Sequence, residues 1–437
     1  MKAVVLGLFF LLTVSGWSQD AVRISKSEVL DMVLENNHQI RISEQEFLSS
    51  QADYRQTNAL FFPNISISHT GFVTTNPLMA FGSKLNQASI RASDFDPDIL
   101  NDPDQTQNVA TKFEIQQPLI NFDGFWKRKA ARSTMEANQL NRQRTGEFLT
   151  YEADRAYTML QLAERQLQVL EKNLKLAEAN KTLAQNRFEQ GLIQQADVLL
   201  FDVRFAEVSN QLQHARSSLQ NASDYLAFLM NKTDHPIYLA GDSLKIDTSA
   251  PDIIPKLSPD RADIKAMDEV TRAYANASKA DKLAFLPNIN AFGSYELYDQ
   301  NFFNGEASGY LVGIGMNWTI LDGTKRFSKT KKSKAEYEKA KTEFEQYKYK
   351  SELELRKAWR QFQDAKNNLE LTKLAKTQAQ QALKIRSNRF KEGLERATDL
   401  LFAEVQASQK ELEYYQSMVT YNSTLSYLNF LTENPTQ

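Results

Sequence analysis

The chain has 437 residues, and 52 Lys and Arg stand against 54 Asp and Glu for a net charge of −2. That balance gives no bulk pull toward DNA or RNA, so no nucleic acid is expected as a partner. Cys is absent and the 4 His (His38, His69, His214, His235) fall at no metal-ligand spacing, which removes disulfides, a Cys nucleophile and thiolate metal sites and leaves no cofactor or metal to expect.

In chain order, residues 1–18 have the form of a secretory signal peptide. Lys2 supplies the positive start, Ala3–Val14 is an apolar run too short to span a bilayer, and Gly16 and Ser18 sit at the small-residue positions before Gln19. No later stretch is apolar enough for a membrane helix; the best, Tyr310–Leu321, is broken by Gly313, Gly315 and Asn317. An exported chain without a spanning helix is either soluble outside the inner membrane or inserted as β-structure.

A first unit (19–231) then begins with a helix over Ser25–Phe61, opened by the capping box Ser25-Lys-Ser-Glu28 and stopped at Pro63. Strict alternation predicts strands over about 64–75 and 108–118, joined by a long loop. A helix over 124–190 follows, about 100 Å at 1.5 Å per residue. Its apolar residues recur in heptad steps through Leu160, Ala163, Leu167, Leu170, Leu174, Ala177, Ala184 and Phe188, the pattern of supercoiled neighbours. Gly191 ends it, and a returning helix runs 196–231. A connector over 232–259 carries Pro236, Pro251, Pro255 and Pro259. The second unit (260–433) repeats the order: a helix to Phe285, strands over about 288–299 and 309–320, a long helix over 324–392, Gly393, and a returning helix over 398–433 before a tail at 434–437.

The two units are copies. Asn186-Arg-Phe-Glu-Gln-Gly-Leu recurs 202 residues on as Asn388-Arg-Phe-Lys-Glu-Gly-Leu, and 12 of the 46 positions from 186 to 231 are identical at that offset. Upstream, Phe62-Pro-Asn-Ile matches Leu286-Pro-Asn-Ile, and Phe122-Asp-Gly matches Leu321-Asp-Gly. Three landmarks in the same order make a tandem duplication.

Four strands cannot close a barrel, which takes about eight, and open edges are not tolerated in lipid. If the strands sit in a membrane, several chains share one barrel. Val312, Ile314, Met316 and Trp318 fall on one face of the last strand and suit lipid, with Trp318 and Trp126 as interface anchors; the opposite face is polar or glycine, as a watery lumen requires. A small soluble sheet packed on helices is the other reading of the same alternation.

These residues resemble the TolC-like outer-membrane efflux proteins. The resemblance rests on the duplicated Gly-Leu-x4-Asp (Gly191-Leu192 to Asp197; Gly393-Leu394 to Asp399), the Pro-Asn strand starts, the Asp-Gly before each long helix and the signal peptide, and it covers essentially the whole mature chain. It implies a mainly α fold with a small β part, assembled as a homotrimer whose outer-membrane β-barrel continues into a periplasmic α-helical barrel. It implies a passive duct for efflux or type I secretion, with a periplasmic adaptor and an inner-membrane transporter as partners and outer-membrane lipid around it. Gly191, Leu192, Gly393 and Leu394 become adaptor-contact tips, and Asp197, Asp399 and Arg396 become candidates for an entrance gate. The family's Arg two residues after the second Gly is Glu395 here, and its further acidic ring is Phe402, so the family's ionic latch is not reproduced residue for residue.

Basic clusters follow each Asp-Gly: Lys127, Arg128, Lys129 and Arg132, then Lys325, Arg326, Lys329, Lys331, Lys332 and Lys334. They oppose the helix dipole, and contact with anionic headgroups and a solvated helix face are both open. Asp94-Phe-Asp-Pro-Asp98 imitates the start of a calcium loop, but Ile99 replaces the required Gly, so a solvated extracellular loop is expected. No phosphate-binding or nucleophile motif occurs, and no enzyme activity is expected. The competing classes are a coiled-coil tether, which needs no one-sided strands, and a passive porin, which needs no rods.

Overall fold

The computed structural model describes residues 21–233, 236–251, 253, 255–301 and 305–432. The signal segment at 1–18 and the tail at 434–437 lie outside the described residues. The described chain runs β1 (Ala21–Ile24), α1 (Lys26–Asn36), α2 (His38–Gln56), β2 (Asn64–Thr74), α3 (Pro77–Asn86), α4 (Pro97–Asn101), β3 (Thr106–Ile120), α5 (Phe122–Glu189), α6 (Gln195–Leu229), β4 (Ile237–Ala240), α7 (Ala262–Leu283), β5 (Asn288–Asp299), β6 (Ala307–Asn317), α8 (Lys325–Lys391) and α9 (Ala397–Thr432). Its compact units do not follow the repeats. One comprises Met1–Ile42, Gln143–Arg261 and Tyr349–Gln437; the other comprises Ser43–Arg142 and Ala262–Lys348, so each draws on both copies.

The first unit is helical. The capping box at Ser25 forms, with the Ser25 amide donating to Glu28 Oε2 at 2.8 Å. The single helix expected over Ser25–Phe61 is broken at Asn37, which is extended, buried, and holds both halves: its Nδ2 donates to Leu229 O at 2.8 Å and its Oδ1 accepts from Gln39 N at 2.8 Å. The connector carries an element the alternation did not reveal. β4 pairs in parallel with β1, Ala21 opposite Ile237 to Ile24 opposite Ala240. This ribbon covers Tyr157, Leu160, Leu226 and Met230 of α5 and α6. The Tyr157 hydroxyl donates to Ile24 O (3.1 Å) and Asp242 Oδ2 (3.0 Å), and burial pushes it up to about 12. A second cluster joins Leu355, Phe362 and Leu369 of α8 to Val419, Leu425 and Leu428 of α9.

The second unit holds one antiparallel sheet in the order β2-β3-β5-β6. Among the described residues both outer strands keep a free edge within the chain. The register puts Ile67, Phe113, Tyr295 and Tyr310 across one face, and Ile65, Ile115, Gly293 and Val312 beside them. This face is apolar and exposed; Val312 is 75% accessible. The other face carries Ser66, Glu114, Ser294 and Leu311 in one row. Lys112 pairs there with Glu114 (3.2 Å) and Glu296 (3.7 Å).

Several sequence boundaries move. β6 ends at Asn317, so Trp318 and Ile320 lie beyond the strand. The loop between the first two strands folds into α3 and α4, and β3 runs 15 residues with an irregularity between Pro118 and Ile120. The calcium-like run is spent locally: Asp94 pairs with Lys84 at 2.9 Å, and Asp96 caps α4 by accepting from Asp98 N at 3.0 Å. Phe122-Asp-Gly lies inside α5 rather than before it.

Candidate functional site

The candidate site is the pair of helical tips, α5–α6 and α8–α9. Both turns are built alike. Gly191 N donates to Phe188 O (2.8 Å) and Leu192 N to Arg187 O (2.9 Å); Gly393 N donates to Phe390 O (3.0 Å) and Leu394 N to Arg389 O (2.9 Å). This is a Schellman cap, and it needs a left-handed residue after the helix. Gly191 (φ 71°) and Gly393 (φ 77°) supply it. The residue after each glycine projects outward: Leu192 is 66% and Leu394 67% accessible.

The returning helices start one residue earlier than expected. Asp197 and Asp399 are therefore third residues of α6 and α9. Asp197 closes a capping box, accepting from Gln194 N at 3.2 Å. Asp399 is half-buried, with Arg386 Nη1 at 3.9 Å. Arg396 is exposed. The stronger charges at the second tip belong to Glu395, which takes Arg386 at 2.9 Å and Arg389 at 3.0 Å.

The two tips pack on each other. Phe201, Phe390, Ala184, Ala397 and Leu400 form one buried cluster, with the Phe201 and Phe390 ring centroids 5.8 Å apart. Arg187 lies over the Phe390 ring at 4.6 Å and donates to Lys391 O at 2.6 Å.

Farther along α6 and α9, sequence reading missed a buried polar junction. Arg204 Nε donates to Glu404 Oε1 at 3.3 Å, and Asn180 Nδ2 donates to Glu404 Oε2 at 2.9 Å; Glu404 is 1% accessible. Asn173 donates to Ser408 Oγ at 2.6 Å beside it. These residues tie the two hairpins by buried polar groups, where leaving any one unpaired is costly. A groove of about 590 Å³ lined by Arg204, His214, Ser408 and Leu412 runs past this junction. A charged residue on a long helix reads as solvated; only the appearance of Glu404 in an otherwise small-residue run (Ala403, Ala407, Ser408) hinted otherwise.

In the sheet unit, Trp126 lies in the first turns of α5, with its ring 6.2 Å from that of Phe125, and Trp318 donates from Nε1 to Phe285 O at 3.0 Å. Among the described residues no group of three or more His, Cys, Asp or Glu is placed to hold a metal, and no helix is long and apolar enough to cross a membrane.

Comparison with known proteins matches residues 29–232 and 256–428 to a family described as outer membrane efflux protein. The alkaline protease secretion protein AprF of Pseudomonas aeruginosa is 23% identical over 347 residues, which are 76% of this chain and 68% of AprF. The CmeC outer membrane channel of Campylobacter jejuni superposes with a TM-score of 0.80 at 13% identity, over 99% of this chain and 93% of CmeC. The outer membrane protein VceC of Vibrio cholerae gives 0.78 at 16% identity, over 93% and 96%.

Proposed function

We propose that this chain, which belongs to the outer membrane efflux protein family, forms the exit duct through which an inner-membrane transporter, coupled by a periplasmic adaptor, discharges its cargo. The chain is an outer-membrane transport channel, and its own part in export is passive. The carrying observation is the sheet: four strands, one exposed apolar face, and free edges on β2 and β6. Unpaired edges are not stable in lipid, and closure needs about eight strands. Three copies, each adding its β6 edge to the next β2, supply enough strands to close one barrel around the polar face. The long hairpins of the same copies then continue the bore as a helical tunnel.

At the tips, Leu192 and Leu394 offer two exposed apolar contacts for the adaptor, and the rigid Schellman turns hold them in fixed positions. Asp399, Asp197 and Arg396 form the entrance gate in this reading. Asp399 is the stronger candidate, because its carboxylate is partly accessible and held only by a long contact to Arg386, whereas that of Asp197 is engaged in its own helix start. Trp126 and Trp318 mark the membrane interface.

The test is the outer-membrane fraction run on gels with and without heating. A band at the trimer mass that collapses to the monomer on heating, and single-channel conductance in planar bilayers, are the expected results. A soluble periplasmic monomer would defeat the proposal. Asp399→Ala is expected to change the salt and pH dependence of that conductance, and an unchanged trace would remove the gate role.

A further inference from the structure

We propose that Trp126, Lys129 and Lys279 form a binding site for the headgroup of an anionic phospholipid. Two ammonium groups from different helices converge on one indole: Lys129 Nζ of α5 lies 4.3 Å from the Trp126 ring centroid, and Lys279 Nζ of α7 lies 4.6 Å from it. Each is favoured by the ring, but the two repel each other, and a single anion between or beside them removes that repulsion.

Several surrounding cations are already committed. Lys127 holds Asp123 (2.6 Å), Arg132 holds Glu136 (2.8 Å), Arg326 holds Asp322 (3.2 Å) and Lys329 holds Asp281 (2.9 Å). Arg128 is occupied by Thr57, Asn58 and the Tyr54 hydroxyl. Among the described residues Lys129 and Lys279 have no carboxylate partner, and both are exposed. Lys325, Lys331 and Lys334 are also exposed without a carboxylate partner among the described residues, but only Lys129 and Lys279 bring two such charges onto one indole.

The ligand must carry more than a phosphate. Phe125 stands edge-on to Trp126 and also lies under Lys129 Nζ at 4.8 Å. Phe122 and Phe125 in this first stretch of α5 are 44% and 48% accessible, an apolar ledge that free phosphate would leave bare and acyl chains would cover. A zwitterionic headgroup would bring its own ammonium to two lysines, so a net-negative one is preferred. Tryptophan beside lysine at headgroup level is the chemistry of a membrane interface. The inference rests on the outer-membrane reading above.

The experiment is native mass spectrometry of the detergent-purified trimer titrated with phosphatidylglycerol or phosphatidylethanolamine. Wild type is expected to retain phosphatidylglycerol in preference, and the double variant Lys129→Gln/Lys279→Gln to retain roughly thirtyfold less, from one unit charge lost at each of two positions. Lys129→Arg/Lys279→Arg is expected to keep the retention. Equal phosphatidylglycerol retention by wild type and the Gln variant, or equal retention of the two lipids by wild type, overturns the site. Inorganic phosphate that displaces phosphatidylglycerol as well as a second phosphatidylglycerol does would overturn it too, since the acyl ledge would then contribute nothing. Bilayer conductance of the same samples separates the two proposals: a wild type that never forms channels sinks the duct, while a Gln variant that conducts normally and still retains the lipid sinks only this site.

Discussion

The two helical hairpins descend from one sequence and share one backbone, yet they handle charge and aromatic area differently. Their caps superimpose bond for bond, with glycine in the left-handed region at both turns. Their side chains have parted. Phe188 and Phe390 occupy equivalent places, 202 residues apart; Phe188 is 38% accessible and Phe390 is 1%. Asp202 and Glu404 are likewise equivalent. Asp202 makes a half-exposed pair with Lys181 at 2.9 Å, whereas Glu404 is buried against Arg204 and Asn180. The backbone of a duplicated unit is fixed by local rules, but which face becomes interior depends on what packs beside it. At these two positions the second hairpin presents to the first the side chain whose counterpart the first leaves exposed.

The widest split is expected at that equivalent acid. Glu404→Ala leaves buried Arg204 with only its 3.5 Å contact to the exposed Glu207, takes the acceptor from Asn180, and should cost about 3–5 kcal/mol. Asp202→Ala removes an exposed pair and should cost at most about 1 kcal/mol. Thermal loss of helical circular dichroism in the purified trimer reads both. Similar melting temperatures for the two variants would mean that the copies are equivalent after all. The double change Arg204→Met/Glu404→Leu is expected to recover most of the loss, since a buried ion pair replaced by apolar groups of similar volume is close to neutral.

The aromatic pair should give the next difference. Phe390→Ala empties the centre of the cluster that holds the tips together and removes the ring under Arg187, a loss of about 3–4 kcal/mol. Phe188→Ala exposes little that was covered and should cost about 1 kcal/mol or less. Hydrogen exchange at the amides of Leu400 and Phe201 checks the consequence: faster exchange at both is expected for Phe390→Ala and at neither for Phe188→Ala.

How legible this was in the sequence follows the range of each interaction. The glycines at the tips, the heptad steps through Leu160 and Ala177, and the alternation through Val312 and Ile314 are local patterns, and they correspond to caps, packed helices and a one-sided sheet. The Arg204–Glu404 junction is not local: it joins residues 200 apart, and beyond the small residues Ala403, Ala407 and Ser408 nothing near either one marks it as buried. β1 and β4 are four residues each and pair across the connector, too short for alternation to register. The Asp-Gly landmark shows the same limit. In the first copy a Cβ on Gly124 would meet Leu60 Cδ2 at 2.5 Å and push that side chain aside; in the second, Gly323 has φ 68° with open space around it, so the turn demands it. One dipeptide answers two different constraints, and only the neighbours tell which.

The hairpins also differ in what covers them, and the cover of the first contains a pH-sensitive contact. The first lies under the β1–β4 ribbon through Tyr157; the second lies under connector residues Leu244, Ile246 and Leu257. Burial raises the Tyr157 hydroxyl to about 12, so its contribution is complete below the ordinary tyrosine value near 10 and is lost as pH rises through 12. Asp242 is lowered by the Lys26 amide and then by Tyr157 itself, so its contribution is present above the ordinary carboxylate value and lost as pH falls below it. Tyr157→Phe is expected to cost about 1–2 kcal/mol at pH 7. It should also flatten the alkaline limb of stability and shrink the acid limb. Melting temperatures from pH 3 to 11 test this, and an acid limb of unchanged depth would show that Asp242 does not depend on the hydroxyl.

The smallest effect on stability sits at the second tip, where a large effect on function is still expected. Glu395 faces Arg386 and Arg389 at a partly exposed surface, and its replacement by Gln should change stability by no more than about 1 kcal/mol. The first tip has Ile193 at the equivalent position and no such charge. Removing the carboxylate releases two guanidinium groups, and Arg386 already lies 3.9 Å from Asp399. Freed from Glu395, Arg386 is expected to close on Asp399 and hold the candidate gate residue more firmly. In planar bilayers Glu395→Gln should therefore open less often than wild type at low salt and converge with it as salt screens the pair. Ile193→Gln, which puts the same amide at the equivalent place on the other copy without removing a charge, should leave the trace as it was. Equal responses at the two tips would place the entrance control in features the copies share, the glycine turns and their leucines, rather than in the charges that distinguish them.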